Sequence, residues 1–366
     1  MAEHLTVPLY DVEKAFKPTT VCVTGGTGYI AGPIIQRLLA AGHTVHATCR
    51  NPDNEKAVGF LKKLPGAKSR LTLFKADLLE EGSFLAAVKG CSCVMHTASP
   101  YTMSIRKGKE WETVIGPAVK GTENVIDAVN KTKSVKRLVL TSSCGAVCGD
   151  AEERGRDHVF TENDWNLTAS EEVLPYFYSK RLAEEKAIEL CKDQNRWDLV
   201  SMLPVGVFGP PLSDRVDSSS VSMIKQLVSG GMYPVVPKIG LGVVDVRDVA
   251  AAHCVAMSDK KAKGRYLLCA SSHYLKELGD MLRPKYPGGW FPRFNINSTI
   301  SMLLASYIGI AADTLSCMLD KLPLFDNGKA TTELGLKFLE PAETLDDMVK
   351  AMLELGILKG KNFRKY

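Results

Sequence analysis

Tyr176 and Lys180 stand four residues apart in Pro175-Tyr176-Phe177-Tyr178-Ser179-Lys180, at the head of a run rich in strong helix formers, Arg181-Leu182-Ala183-Glu184-Glu185-Lys186-Ala187. On a helix that spacing places the phenol and the ammonium on one face, one turn apart. A free tyrosine titrates at about pH 10, too high for easy proton exchange at neutrality. A cation within reach pulls that value down, so the pair could act as an acid–base couple. Tyr178, two residues from Lys180, faces elsewhere. Taken alone, Y-x-x-x-K also describes an ordinary helix with a packed tyrosine and a solvated lysine. The assignment therefore depends on what the rest of the chain supplies.

A second chemistry-bearing stretch lies near the start. Thr20-Val21-Cys22-Val23-Thr24 reads as a short buried strand, followed by Gly25-Gly26-Thr27-Gly28-Tyr29-Ile30-Ala31-Gly32 and then by Ile34, Ile35, Leu38 and Leu39 at helical spacing. Strand, glycine turn and helix in that order are the context of a dinucleotide-binding turn. Gly25 permits the tight turn, Gly28 lets the backbone approach a pyrophosphate, and the helix N-terminus offers N–H groups and a positive dipole end. Ala31 holds the third position of a G-x-x-G-x-x-A pattern and is small enough for close helix–strand packing. The next strand, His43 to Cys49, ends at Arg50, with no acid before Asp53. An acid at this place would hold the ribose hydroxyls of NAD, whereas an arginine suits a 2′-phosphate, so the expected cofactor is NADP(H).

The elements that would position these groups follow in order. Leu71 to Leu78 is a third strand whose Asp77 could accept from an adenine amino group or cap a helix starting near Glu80. Val94 to Pro100 is a fourth, with His96 read as a packed strand residue. A helix from about Thr113 to Asn130 leads to a fifth strand, Val135 to Ser143, which ends in hydroxyls. After the Tyr176 helix comes a sixth, Leu199 to Pro204, with a Pro/Gly-rich exit through Pro211. The expected fold is α/β, a Rossmann-type doubly wound parallel sheet with a smaller C-terminal substrate lobe. Its divisions are an N-terminal extension over 1–17, an NADP-binding domain over 18–211, and a mainly substrate-binding lobe over 212–366 from which about 243–257 returns to the first. Within the second part the pattern predicts a Ser218–Ser220 loop, a helix over 224–229, a strand at 243–246, a helix over 249–257, a strand at 265–269, and helices over 298–319 and 343–355.

Composition excludes several classes. The net charge of +5 is spread along the chain, with only a short basic tail from Lys359 to Lys365, so nucleic acid is not an expected partner. Ten cysteines show no metal-ligand spacing, and the polar start Met1-Ala2-Glu3-His4 lacks an apolar core, so free thiols and a cytoplasmic location are expected. The stretch 294–312 carries no charged residue, but its serines, asparagines, threonine and glycine argue for a buried or cleft-covering helix rather than a transmembrane span. The pattern leaves the oligomeric state open.

The ordered set TGGTGYIAG (24–32), ATCR (47–50), KADL (75–78), TSSCGAV (141–147), YFYSK (176–180), PVGVFGPP (204–211) and VDVRDVAAAH (244–253) resembles the extended short-chain dehydrogenases/reductases, from about Thr20 to Gly360. The branch it resembles is that of dihydroflavonol 4-reductase, which also holds cinnamoyl-CoA reductases and fungal and bacterial ketone/aldehyde reductases. The resemblance implies Ser143, Tyr176 and Lys180 as catalytic residues. It implies cofactor contacts at Gly25, Gly28, Tyr29, Ile30, Arg50, Asp77, Leu78 and Pro204, with Tyr176 and Lys180 also touching the cofactor, and a softer match at Ser218–Ser220. Cys148 stands where dihydroflavonol reductases carry an asparagine, Gly242 where they carry a glutamine, and Phe177 where cinnamoyl-CoA reductases carry a cysteine. The GYIAG turn and the VDVRDVA segment look more like the fungal and bacterial carbonyl reductases. The implied activity is NADPH-dependent reduction of a ketone or aldehyde, a small-molecule carbonyl substrate of hydrophobic or aromatic character. A 3β-hydroxysteroid dehydrogenase, a sugar-nucleotide epimerase or dehydratase, and a non-catalytic NADPH-binding protein are the alternatives on the same frame.

Overall fold

The computed structural model describes residues 8–100, 108–216, 218–303 and 312–359. Val21, Cys22 and Val23 are all inaccessible to solvent, as are Val45 and Ala47. Continuous apolar runs of this kind suit parallel strands covered on both faces. Seven of them form one parallel sheet: β1 (Thr20–Thr24), β2 (Thr44–Cys49), β3 (Leu71–Lys75), β4 (Cys93–His96), β5 (Arg137–Thr141), β7 (Asp198–Pro204) and β11 (Gly264–Leu268). Their order is β11-β7-β5-β4-β1-β2-β3, so the sequence of connections reverses between β1 and β4. In such sheets ligands bind beyond the C-terminal strand ends at that reversal. Smaller sheets complete the molecule. β8 (Gly206–Phe208), β10 (Gly240–Asp245) and β12 (Ser271–Tyr274) form one, β6 (Val159–Phe160) pairs with β14 (Leu324–Phe325), and β9 (Val235–Pro237) pairs with β13 (Phe294–Ile296).

The helices are α1 (Asp11–Ala15), α2 (Ala31–Ala40), α3 (Glu55–Lys62), α4 (Ala67–Arg70), α5 (Leu85–Val88), α6 (Gly116–Lys131), α7 (Pro175–Lys192), α8 (Ser219–Ser229) and α9 (Val246–Ser258), followed by shorter ones and by the helix Pro341–Glu354. On one face of the large sheet Ile34, Ile35, Leu38 and Leu39 of α2 pack with Val249 and Val255 of α9. On the other face Val125, Ile126 and Val129 of α6 meet Phe84 and Trp197. A separate apolar cluster gathers Ile224, Leu227, Leu278, Leu345 and Met348 around Phe208 and Val243.

Four segments differ from what the sequence pattern predicts. The start of the chain is more than an extension, because α1 docks on the sheet helices through a buried ion pair: Glu13 and Arg37 are 2% and 6% exposed, and Arg37 Nε donates to Glu13 Oε1 at 2.7 Å. A segment this polar shows no apolar period. The turn after β3 holds no helix near Glu80; α5 begins only at Leu85. Ser219 and Ser220 belong to the first turn of α8 rather than to a loop, since Ser at a helix start is favourable. The uncharged stretch begins as a strand, β13, continues as the short helix Ser298–Leu303, and leaves Phe294, Ile300 and Leu303 exposed. Residues 304–311 of that stretch lie outside the described residues. Among the described residues no helix is long and apolar enough to cross a membrane.

Asp248, in the first turn of α9, is 3% exposed and accepts from Leu339 N at 2.8 Å. Burial, reinforced by Asp245, pushes its carboxyl up to about 7. A carboxyl whose value is raised in the fold favours the protonated form, so it costs stability increasingly from about pH 4, its unfolded value, up to about 7. Asp248→Asn keeps an acceptor for Leu339 N and is therefore expected to raise Tm at pH 8 and to leave it unchanged at pH 4. Thermal unfolding of both proteins at the two pH values measures this.

Candidate active site

α7 starts where Pro175 takes the first helical position, one residue after Leu174, which is held in the left-handed region at φ 55°. A leucine there is strained. Its side chain is buried with Ala169 and Cys317, and Val173, Phe177 and Tyr178 pack around that cluster. Tyr178 thus faces away from Lys180, as its spacing requires. One turn on, Lys180 is 7% exposed; its Nζ lies 3.5 Å from the Thr141 carbonyl and 5.8 Å from the Tyr176 ring centroid. Burial lowers the ammonium to about 8, against the opposing pull of Glu184.

Ser143 follows the C-terminal end of β5 and caps a single turn of 3-10 helix, Cys144–Ala146. Its Oγ accepts from Gly145 N at 3.1 Å, which leaves the hydroxyl proton to be donated elsewhere. The turn is pressed onto α7: a Cβ on Gly145 would stand 2.8 Å from Phe177 Cγ, so only glycine fits. Buried Asn166 donates to the Gly145 carbonyl, and Arg181 Nη1 holds Asn166 O at 2.7 Å. Contacts on either side of Ser143, at Thr141 and Gly145, therefore reach Lys180 and Phe177 of α7.

Sequence reasoning did not find the polar groups behind this pair. Glu184, inaccessible to solvent, accepts from Ser142 Oγ at 2.8 Å and from Arg265 Nε at 2.9 Å. The Arg265 guanidinium lies 3.8 Å from the Trp165 ring centroid. His253 Nδ1 lies 2.8 Å from the Val249 carbonyl and so carries the ring proton, and Nε2 accepts from Thr141 Oγ1 at 2.7 Å. Burial lowers that imidazole to about 4, so it is neutral. His96 is likewise a packed, neutral histidine, lowered to about 3 by burial and then by Lys180, with Nδ1 2.9 Å from Thr24 Oγ1. A small polar cavity lined by His96, Thr122, Thr141, Ser142, Lys180 and Glu184 adjoins the ammonium. The readable signal for Glu184 was its i+4 spacing from Lys180.

The expected cofactor residues sit at the C-terminal strand ends. Gly25 adopts φ +66°, and a Cβ there would meet Ala98 Cα at 3.0 Å, so the turn accepts only glycine. Gly28 is exposed at the tip, where a Cβ would stand 3.1 Å from Gly25 O. Ile30 caps α2 without a side-chain bond, and the first turn of α2 holds no acid, so its N-terminus is suited to an anion. Tyr29 donates from its hydroxyl to Gly209 O at 2.6 Å. Arg50 is exposed one residue beyond β2. Asp77 Oδ1 accepts from Leu79 N at 2.9 Å, and its second oxygen can accept from a ligand; the carboxylate caps this turn rather than a helix. The Leu78 carbonyl accepts from Asn124 Nδ2 at 2.7 Å, and Pro204 ends β7. The glycine cradle, the helix terminus and the cation after β2 fit NADP(H).

The ten cysteines are free, and burial raises Cys144 to about 11 and holds Cys148 well above the ordinary thiol range. Neither is a thiolate at neutral pH. Among the described residues no cluster of His, Cys, Asp and Glu could hold a metal ion.

Residues 21–269 match the NAD dependent epimerase/dehydratase family. The chain belongs to that family. It is 41% identical over 277 residues to a cinnamoyl-CoA reductase of Medicago truncatula, covering 74% of this chain and 82% of that protein. It is 36% identical to cinnamoyl-CoA reductase 1 of Arabidopsis thaliana, covering 93% and 90% of the two chains. Among solved structures, yeast methylglyoxal/isovaleraldehyde reductase complexed with NADPH is 27% identical, with a TM-score of 0.77 over 92% of this chain and 99% of that one. The family member described here is accordingly an extended short-chain dehydrogenase/reductase of the dihydroflavonol 4-reductase-like branch, an NADP(H)-dependent oxidoreductase acting on carbonyl and alcohol groups. Both of these curated relatives are plant proteins.

The expectation that Arg50 meets the 2′-phosphate can be tested by substitution. Arg50→Gln is expected to weaken NADPH binding by about tenfold or more, the loss of a charge-assisted hydrogen bond, and to leave NADH binding unchanged. Fluorescence titration with each cofactor checks it.

Proposed function

We propose that this enzyme reduces an apolar or aromatic ketone or aldehyde to the alcohol, with Ser143, Tyr176 and Lys180 as its catalytic residues. The observation that carries the reading is the buried Lys180 ammonium, 5.8 Å from the Tyr176 ring centroid and tied to the strand that delivers Ser143. NADPH, when bound, supplies the hydride. Ser143 donates its hydroxyl proton in a hydrogen bond to the substrate oxygen and fixes that oxygen in place. Tyr176 gives its phenolic proton to the same oxygen. Lys180, as a cation, stabilises the phenolate left behind and so lowers the phenol toward neutrality. Gly25, Gly28, Tyr29 and Ile30 serve the pyrophosphate, Arg50 the 2′-phosphate, and Asp77 and Leu78 the adenine side, with Pro204 at the end of β7.

We assign Ile224, Leu278 and Leu345, which pack with Phe208 in one apolar cluster, to a mainly substrate-binding lobe over 212–366, set against a cofactor domain over 18–211. The named substrates of curated relatives, which include cinnamoyl-CoA, a tetraketide α-pyrone and a dihydroflavonol, support an aromatic carbonyl. A cytoplasmic location accords with ten free thiols.

The test is NADPH oxidation with aliphatic and aromatic aldehydes and ketones, dihydroflavonols and acyl-CoA thioesters, repeated with NADH. Turnover is expected with aromatic carbonyls and NADPH. Conversion of a nucleotide sugar without net NADPH consumption, and no turnover of any carbonyl, would overturn the proposal in favour of epimerase chemistry.

A further inference from the structure

Of the eleven large apolar side chains exposed among the described residues, six come from two segments: Tyr233, Val235, Trp290, Phe294, Ile300 and Leu303. The pairing of β9 with β13 joins those segments. Phe294 is the register partner of Val235, and residues opposite one another in a parallel pair project from the same face. Arg293 N and Phe294 N both donate to Pro234 O, at 2.8 and 3.2 Å. Trp290 N donates to Val228 O at 3.2 Å, and its ring stands edge-on to that of Tyr233, 5.0 Å between centroids. Beyond β13 the helix Ser298–Leu303 exposes Ile300 and Leu303, three residues apart and so on one side. Trp290 is 52%, Phe294 64% and Leu303 78% accessible. One exposed apolar side chain needs no explanation, but several gathered on one small sheet mark a contact surface.

The charges around this surface point to what it meets. The stretches 218–244 and 281–312 hold five cations, Lys225, Lys238, Arg283, Lys285 and Arg293, and no Asp or Glu. Lys238, Arg283 and Lys285 are paired with Asp320, Asp280 and Asp346 of neighbouring segments. Lys225 and Arg293 are exposed and have no carboxylate partner among the described residues. Arg293 directly precedes Phe294, and Lys225 lies one helical turn before Ser229, which bridges to Trp290. A second copy of the chain fits poorly, because on a two-fold interface this face would meet itself, cation against cation. Aromatic and aliphatic side chains flanked by unpaired cations suit an anionic bilayer instead. Trp and Tyr settle at headgroup depth, Phe and Leu enter the acyl boundary, and Lys and Arg meet the anionic headgroups. We propose that the face built by β9, β13 and the helix Ser298–Leu303 docks this enzyme on the surface of an anionic membrane, without crossing it. The proposal does not depend on which carbonyl compound the enzyme reduces.

Co-sedimentation of the full chain with vesicles tests it. The vesicles are phosphatidylcholine alone or phosphatidylcholine mixed with phosphatidylserine, each at low and high salt. Wild type is expected to partition onto the anionic vesicles about tenfold or more above the neutral ones, and to be released as salt rises. The double variant Lys225→Gln/Arg293→Gln should lose about tenfold or more in partitioning onto anionic vesicles. Phe294→Ser/Leu303→Ser removes apolar area that enters the lipid and should lose about as much. All four side chains are exposed, so both variants should keep the wild-type Tm; if the apolar variant does not, the charge variant decides. Wild-type protein that stays in solution with anionic vesicles, or that partitions equally onto neutral ones, would overturn the proposal. Partitioning unchanged in both double variants would also overturn it, by placing the binding elsewhere, as on the basic tail 359–365. A concentration-dependent dimer in wild type that Phe294→Ser/Leu303→Ser abolishes would assign the face to a second copy and overturn it too; sedimentation velocity reads this.

Discussion

Tyr176→Phe is expected to lower kcat for carbonyl reduction by about 10²–10⁴-fold, the usual contribution of a positioned general acid, while NADPH still binds. The substitution removes one oxygen from a half-buried side chain whose ring is held by α7 and lies 6.2 Å, centroid to centroid, from the Phe177 ring. On the proposed mechanism, what disappears is the proton that must reach the substrate oxygen as the carbonyl carbon becomes tetrahedral. Ser143 cannot replace it, because a serine hydroxyl gives up its proton far less readily than a phenol stabilised by a neighbouring cation. In the proposed mechanism Lys180 acts on the transferred proton through the phenol, so it does not substitute either. Single-turnover kinetics with NADPH in excess isolates this step from product release. An unchanged rate in the variant would remove Tyr176 from the mechanism, and a large loss of NADPH affinity would recast it as a binding residue.

Lys180 gives the same step a pH signature. With its ammonium lowered to about 8 by burial, the enzyme begins to lose its cation just above neutrality. On the proposed mechanism reduction needs Lys180 charged and Tyr176 protonated, so kcat/KM should fall on the alkaline side. The loss is on that side because Lys180 is charged only below its own value.

The parts of this fold that could be read from sequence are those where one physical requirement dominates locally. Val21 to Val23 are buried on both faces of a parallel strand, and their apolar run announces it. Gly25 needs a positive φ, and Gly28 an exposed, unobstructed tip. Tyr176 and Lys180 are related by helical geometry alone. The parts that could not be read depend on partners far away in the chain. Glu184 sits in Ala183-Glu184-Glu185-Lys186, a composition indistinguishable from a solvated helix face, and its partner Arg265 is 81 residues on. Asn166 lies in a loop and acts on a backbone carbonyl. α1 is too short to show a period; the ion pair from Glu13 to Arg37 and the packing of Tyr10, Val12 and Phe16 on the core fix it. The stretch 294–312 looked like one helix because it lacks charge, yet absence of charge does not specify a period. Phe294–Ile296 became a strand because β9 offered an edge to pair with.

Glu184→Gln should separate what a buried ion pair does for stability from what it does for catalysis. Glu184 is inaccessible and Arg265 is 10% exposed, so removing one charge leaves the other buried and unmatched. Breaking such a pair from one side costs about 3–5 kcal/mol, and a clear fall in Tm is expected. A second effect follows from position. Glu184 is one helical turn from Lys180 and is the group that opposes the effect of burial on it. Without that carboxylate the ammonium loses its proton at a lower pH, so the alkaline limb of kcat/KM for reduction should move toward acid. Arg265→Met supplies the comparison. It breaks the same pair and should lose comparable stability, yet it leaves the Glu184 carboxylate beside Lys180 and removes a competing cation. Its alkaline limb should therefore stay in place or move upward. Both profiles are measured below the lower of the two Tm values. Identical pH profiles in the two variants would mean that Glu184 acts only as a structural anchor; opposite shifts would show that it keeps Lys180 charged while Tyr176 gives up its proton.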